Sequence, residues 1–259
     1  MLEIYQGGHR SAVEDLAMEA WMLDRAAEGM PSVFATSWTG PVVVLGYAQK
    51  PDDVDLEFCE GRHIPVLRRL TGGTGVVHRM DLGLSLALPA DDPWARGVIG
   101  LYGRFLGVLE PALRRFQPDI QRKQDPPRAS VVRSPICFFD QLSDTLLVGG
   151  RKAVGCAQTR RRGAVLIHAA ILLGTDADLI ARVFRAAVEE VDAGLTAAVP
   201  GGDWRSIGRT IAGDLAEALG RPARDLPEPA LARRHIEPYA NERWAPLSSD
   251  LVEQILAKK

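Results

Sequence analysis

Apolar positions near the start of the chain recur at intervals of three and four. Leu16, Ala17, Ala20, Trp21 and Leu23 follow Ser11-Ala-Val-Glu14, which has the spacing of a capping box. Gly29 and Pro31 end the run, so the pattern predicts an amphipathic helix. The period then changes. Ser32 to Trp38 and Val42 to Leu45 are β-branched and aromatic runs either side of Thr39-Gly40-Pro41, which predicts a hairpin. Ile64 to Leu70, Gly75 to His78 and Leu84 to Leu88 read as further strands around a glycine-bearing loop. Trp94, Val98, Leu101, Phe105, Leu109, Ala112 and Phe116 return to helical spacing. They predict a long helix over 93–116, in which at least one of Gly97, Gly100, Gly103 and Gly107 marks close packing.

The polar, Pro-containing stretch from Gln124 to Arg133 predicts a mobile surface loop. After it, Thr145 to Val148 and Arg151 to Gln158 flank Gly149-Gly150, a pair suited to a primed hairpin turn. Strict alternation puts Lys152, Val154, Cys156 and Gln158 on one face of the second strand. It puts Ala153, Gly155 and Ala157 on the other, a small-residue face that lets another layer come close. Ala164 to Leu173 predicts a long apolar strand. From Asp176 the pattern is mostly helical, over 176–191, about 204–219 and a last piece from Asp250. With no repeat and no long linker, these elements predict one α/β (α+β) domain over 1–259, its core at about 9–185 and a helical C-terminal portion at about 186–259.

Charge narrows the partners. Thirty-three acidic residues against 31 basic ones leave a net charge of −2, without the basic excess of a nucleic-acid binder. Three cysteines, Cys59, Cys137 and Cys156, cannot all pair, and no His-x-x-x-His or Cys-x-x-Cys spacing points to a metal. The N-terminus lacks a signal-peptide pattern, and no apolar stretch approaches the roughly 18–20 residues of a membrane span. The expectation is a soluble cytoplasmic protein with no membrane or nucleic-acid partner.

Candidate chemistry lies in two segments. Arg68-Arg69-Leu-Thr71-Gly72-Gly73-Thr74-Gly75-Val-Val-His78 joins two predicted strands. Its glycines let backbone N–H groups approach a ligand, and Arg68 or Arg69 is placed to meet a carboxylate or phosphate; the same composition also describes a plain turn. It is not a Walker loop, since no Gly-Lys-Ser/Thr follows, and it opens no helix as a dinucleotide fingerprint does. Lys152 stands out because only five of the 31 basic residues are lysines, two of them terminal. An ammonium is a compact charge with three steerable donors, suited to an oxyanion, although a lysine at a hairpin end also suits a solvated surface. Cys137, in Ser-Pro-Ile-Cys-Phe-Phe, starts an apolar strand directly after the polar stretch. A thiol there is either buried or accessible, and a nearby cation makes it a better nucleophile. His78 and His168 both fall in strands, where a hydrogen-bonded core histidine is the commoner outcome.

Together these segments resemble the lipoate-protein ligase A and cysteine-dependent octanoyltransferase family, within the biotin/lipoate A/B protein ligase superfamily. Arg68 to His78 is similar to its Arg-Arg-x-Ser/Thr-Gly-Gly-x-x-Val-x-His, and Gly150 to Gln158 to its Gly-Arg-Lys-x-x-Gly-Ser-Ala-Gln. Ser37-Trp38 through Leu45-Gly-Tyr-Ala-Gln49 agrees more weakly. The resemblance implies a mixed sheet flanked by helices, as in class II aminoacyl-tRNA synthetases and biotin ligases. It implies that Arg69, Thr71, Gly72, Gly73, Gly75, His78, Gly155, Ala157 and His168 bind the substrate, and that Lys152 contacts the acyl carbonyl oxygen or its activating phosphate. Several positions depart from the pattern: Arg79 stands where an aspartate follows the histidine, with Asp81 two residues on. His168-Ala169-Ala170 replaces His-Gly-Ser/Thr, and Asp15 and Glu19 replace Asn and Asp.

The family divides on how the acyl group is activated. Ligases adenylate lipoate with ATP and Mg²⁺, whereas cysteine-dependent transferases take octanoate from acyl carrier protein as an enzyme thioester. Cys137-Phe138 standing ahead of the lysine motif resembles the transferases. That implies Cys137 as nucleophile, Lys152 as its catalytic partner, no cofactor, and the lysine of a lipoyl domain or glycine-cleavage H-type carrier as acceptor. An ATP-dependent ligase and a non-catalytic lipoate or acyl-carrier binder are the alternatives.

Overall fold

A computed structural model of the chain describes residues 1–8, 10–123, 134–137, 145–161 and 163–241. The expected surface loop over 124–133 and the expected last helical piece from Asp250 lie outside the described residues.

Strand β1 (Leu2–Gln6) leads into helix α1 (Ala12–Ala27), whose N-terminus is the expected capping box, with Ser11 and Glu14 bonding reciprocally. Strands β2 (Ser32–Ser37) and β3 (Val42–Leu45) follow. Next come α2 (Leu56–Gly61), β4 (Val66–Arg68), β5 (Val76–His78) and β6 (Asp81–Pro89). After α3 (Val98–Arg114) lie β7 (Gln121–Arg122), β8 (Leu146–Val148), β9 (Arg151–Arg161) and β10 (Ala164–Leu172). The chain continues through α4 (Ala177–Phe184), α5 (Val188–Gly194), α6 (Trp204–Ala218), β11 (Ala223–Asp225) and α7 (Arg233–Asn241).

Eight strands form one mixed sheet in the order β11-β1-β2-β6-β10-β9-β8-β7, and β4-β3-β5 form a small second sheet. The expected hairpin of β2 and β3 is therefore not formed: β2 pairs with β1 and β6, and β3 with β4 and β5. Gly40 is absent from the positive-φ glycines that a primed two-residue turn needs, and Pro41 has no N–H to give a ladder, so the connection carries the chain from one sheet to the other. The second expected hairpin does form, with Gly149 and Gly150 at φ +56° and +78° joining β8 to β9.

Alternation decides which layer each residue joins. On β6 and β10, Leu82, Leu84, Leu86, Leu88, Val165, Ile167, Ala169 and Ile171 pack with α3 and α6 on one face of the large sheet. Ala87, Ala164 and Leu166 face α1 on the other. On β3, Val42 and Val44 meet α1, while Val43 and Leu45 meet the α2 and α4 side. Helix α1 is thus wedged between the two sheets, and the gap beside it holds the site.

Four helical expectations are corrected. The long helix begins at Val98 rather than 93, because Gly97 takes φ +68° and breaks it from the 3-10 turn Pro93–Ala95. Its glycines do not mark close helix packing: positions 103 and 107 face open space, and Gly100 meets only the Arg104 side chain. The helix expected over 176–191 is split by Arg185 at φ +53°, a left-handed cap ending α4. The C-terminal portion also contains a strand, since β11 pairs in parallel with β1.

Candidate active site

The loop between β4 and β5 is shaped by its own arginines. Arg68 Nη1 donates to the carbonyls of Gly46, Tyr47 and Gln49 at 2.8, 3.1 and 2.7 Å. Arg69 donates from Nε to Thr71 Oγ1 at 2.9 Å, from Nη1 to the Val44 carbonyl at 3.2 Å, and from Nη2 to the Gly72 and Thr74 carbonyls at 2.8 and 3.0 Å. A planar fork of five N–H groups suits several converging carbonyls as well as it suits an anion. Gly73, at φ +91°, packs against Gly46 so closely that a Cβ on Gly46 would overlap the Gly73 carbonyl. A Cβ on Gly73 itself would stand 3.8 Å from Cys137 Sγ.

That proximity follows from backbone pairing. The Cys137 N–H donates to the Gly75 carbonyl at 2.9 Å, and the Gly75 N–H to the Pro135 carbonyl at 3.0 Å, so Ile136 forms an isolated parallel bridge with Gly75. Cys137 is half-buried. Cys59, by contrast, is buried in the core beneath α2, and burial pushes its thiol up to about 11.

Lys152 reaches the same place from β9. It is 5% exposed, and its ammonium donates to the Cys137 carbonyl at 2.9 Å. Strict alternation gave the wrong face for it. In the β8–β9 ladder Leu147 pairs with Lys152 but Leu146 pairs with Val154, leaving Ala153 as the extra residue of a bulge. Leu146 and Val154 face α3 and α6, so the bulge turns Lys152 to the opposite face. There it joins Gly155 and Ala157, which pair with Ala170 and His168 across β10. The small-residue face admits no second protein layer; it walls a pocket.

This pocket is lined by α1, by the faces of β2, β6, β9 and β10, and by Val44, Val76 and Cys137 on the small-sheet side. Much of the lining is apolar, including Leu16, Phe34, Trp38 and Val44. One wall is polar. His168 Nδ1 lies 2.7 Å from Glu19 Oε1, which also accepts from Ser85 Oγ at 2.7 Å, and His168 Nε2 lies 3.0 Å from Thr71 Oγ1. Nδ1–H donates to Glu19 and Arg69 Nε–H donates to Thr71, whose hydroxyl donates to Nε2 of a neutral ring or accepts from an imidazolium. Burial pushes the Glu19 carboxyl up, but the attraction and hydrogen bond of His168 and the bond from Ser85 outweigh it and hold Glu19 below the usual range.

Nearer the mouth, His78 Nδ1 meets Asp81 Oδ2 at 2.6 Å and its ring stacks on Trp38. Asp81 therefore takes the place beside the histidine that Arg79 does not fill; Arg79 turns outward to pair with Asp176. Ala169, the other departure, packs its side chain into the core on the α3 face.

Of the residues singled out in the sequence, Cys137, Arg69, His78, Gly155, Ala157 and His168 line this pocket. Thr71, Gly72, Gly73, Gly75 and Lys152 border it through the bonds just described. Thr36 and Ser85 were not singled out in the sequence, and Asp15 and Glu19 were noted there only as departures from the family pattern. The signal was present in α1, where Asp15, Met18, Glu19, Met22 and Ala26 make a buried stripe at helical spacing with two carboxylates in it.

Among the described residues no group of three or more His, Cys, Asp or Glu could hold a metal. Arg69, the one arginine or lysine in the lining, is bonded to the loop. Among the described residues no helix is long and apolar enough to cross a membrane.

The model of the lipoyl protein ligase A/B catalytic domain matches residues 11–202. The octanoyltransferase LipM of Symbiobacterium thermophilum is 32% identical over 226 residues, covering 83% of this chain and 77% of that protein. The LipM of Geobacillus kaustophilus is 31% identical, covering 68% and 67%. Among solved structures, a lipoate-protein ligase A bound with ATP superposes with a TM-score of 0.75 at 20% identity, over 96% of this chain and 97% of that one. A bipartite lipoate protein ligase of Thermoplasma acidophilum, described with its E2 lipoyl domain, gives 0.74 at 18% identity, over 96% and 97%. The last two likenesses establish the fold.

Proposed function

Because the chain belongs to the lipoyl protein ligase A/B catalytic domain family, we propose that it performs its part in protein lipoylation by octanoyl transfer through a thioester on Cys137. It is an acyl-transferring enzyme of that family, acting on the lysine of a lipoyl domain. The observation that carries the finer reading is the meeting of Cys137, Lys152 and an aliphatic-walled pocket at the glycine loop.

In the first step the Cys137 thiolate attacks the carbonyl carbon of an octanoyl thioester held on acyl carrier protein. The bond to the carrier sulfur breaks, and the carrier leaves as a thiol after taking a proton. In the second step the neutral amine of the acceptor lysine attacks the acyl-cysteine. The amide forms, the bond to Cys137 Sγ breaks, and the proton lost by the amine restores the thiol. Each step passes through a tetrahedral oxyanion, and the Lys152 ammonium is the fixed charge next to Cys137 that stabilises it. Arg69, Thr71 and the loop glycines position Cys137, while Gly155, Ala157 and His168 wall the acyl chain. A thioester is already activated, so the reaction consumes no ATP.

The test offers a lipoyl domain with either octanoyl-acyl carrier protein or lipoate plus Mg-ATP, and reads the masses of enzyme and acceptor. The expected result is an octanoyl adduct on the enzyme that Cys137→Ser abolishes, with acceptor modified from the thioester donor alone. Acceptor modified only with ATP, and unaffected by Cys137→Ser, identifies a ligase and overturns the thioester route. No modification under either condition leaves a binding protein. Lys152→Ala is expected to lower transfer by at least about a hundredfold, the cost of losing one oxyanion donor.

A further inference from the structure

The polar wall of the pocket holds two carboxylates one helical turn apart, and their surroundings differ. Glu19 is bonded by His168 and Ser85. Asp15 is 3% exposed, and among the described residues its carboxylate receives one long hydrogen bond, from Thr36 Oγ1 at 3.4 Å, and no ion pair. We propose that Asp15 is a specificity-determining residue of the acyl pocket, which receives an aliphatic chain only while the Asp15 carboxyl is protonated and rejects it once that carboxyl ionises. The proposal rests on the octanoyl-transfer reading and adds to it a condition on the state of the pocket wall.

The reason is desolvation. An ionised carboxylate on an unoccupied pocket wall keeps what water the pocket admits, whereas a chain of methylenes laid against it removes that water and offers no donor in return. A neutral carboxyl avoids most of this cost.

The charges around Asp15 favour the neutral form near neutral pH. Arg10 and Glu228 approach from the segments flanking α1 and after β11, but they are spent on each other at 2.5 Å. Glu14 and Glu19 lie on its own helix, and both are acidic. From β10 His168 is bonded to Glu19, and from the glycine loop Arg69 is bonded to backbone carbonyls. On β5 His78 is held by Asp81. Helix α7, packed along α1, brings His235, which is paired with Asp24, and the buried phenol of Tyr239. Of these neighbours Arg10 is the cation that pulls the Asp15 carboxyl down, together with the Thr36 bond, and both are outweighed. Burial first, and the Glu228 charge second, push the Asp15 carboxyl up to about 7.

A pantetheine analogue carrying octanoyl through an amide, which Cys137 does not cleave, measures this by calorimetry between pH 6 and 8. For the wild type we expect Kd to rise about tenfold over that range, since only the protonated fraction binds. Close to one proton should be taken up per chain bound at pH 8. Asp15→Asn keeps the shape but cannot ionise, and its Kd and proton count should be flat. Glu228→Gln removes a negative neighbour and frees Arg10, so the inflection should move to lower pH with its slope intact; this carries the test if Asp15→Asn does not fold. A flat wild-type profile, an unchanged slope in Asp15→Asn, or an unmoved inflection in Glu228→Gln overturns the proposal. Absence of binding at every pH overturns the octanoyl-transfer reading, and this proposal with it.

Discussion

At the scale of single residues, environment separates groups that the sequence writes alike. Glu19 and Asp15 are both carboxylates on the buried stripe of α1, yet Glu19 is held below its usual range and Asp15 well above. A depressed carboxyl stabilises the fold above its unfolded pKa, and that contribution is lost as pH falls through the lower folded value. Glu19→Gln should therefore cost about 2 kcal/mol at pH 7, the scale for weakening hydrogen bonds to a buried charged group. The difference from wild type should vanish in acid once Glu19 is protonated in both states, as urea unfolding at a series of pH values would show. The two arginines teach a related lesson. Their motif was legible in the sequence, but the partners of Arg68 and Arg69 were not. Whether a guanidinium turns to a ligand or to its own loop depends on carbonyls brought up from β3, about twenty-five residues away in sequence.

At the scale of elements, local signals were read correctly and partners were not. The capping box of α1 and the Gly149-Gly150 turn are set by neighbouring residues, and both appear as expected. The separation of β2 from β3 and the bulge at Ala153 depend on which strand lies alongside, which periodicity within one segment does not contain. The bulge matters most, because it sends the Lys152 ammonium toward Cys137 instead of into the core under α3. Deleting Ala153 leaves Leu147 opposite Lys152 and Leu146 opposite Val154 in a regular ladder, so the lysine keeps its face. Exchanging the pair, Lys152→Ala with Ala153→Lys, puts the ammonium among the core residues under α3 instead. The exchange should cost several kcal/mol, the penalty for an unpaired buried ion, and leave little folded protein. Lys152→Ala alone should keep cooperative thermal unfolding but lose acyl transfer. An exchanged variant that folds and transfers normally would show that the bulge does not aim the lysine.

At the scale of the whole molecule, the pocket is a space between the same layers that make the core. Leu16 and Phe34 line it while also packing in the clusters that join α1 to the two sheets. This arrangement was legible as a family resemblance spread over two motifs about eighty residues apart, but not from alternation or composition, since a pocket is a property of how layers are spaced. Its consequence is that a bound acyl chain counts as a missing piece of the hydrophobic interior. The same apolar contacts that select the chain bridge α1 to the sheet floor, so substrate should act as a folding ligand. With the uncleavable octanoyl analogue at a hundred times its Kd, linkage gives about 2.7 kcal/mol of added stability and a melting temperature higher by a few degrees. On the octanoyl-transfer reading, the fold is at its least stable when the pocket holds no chain.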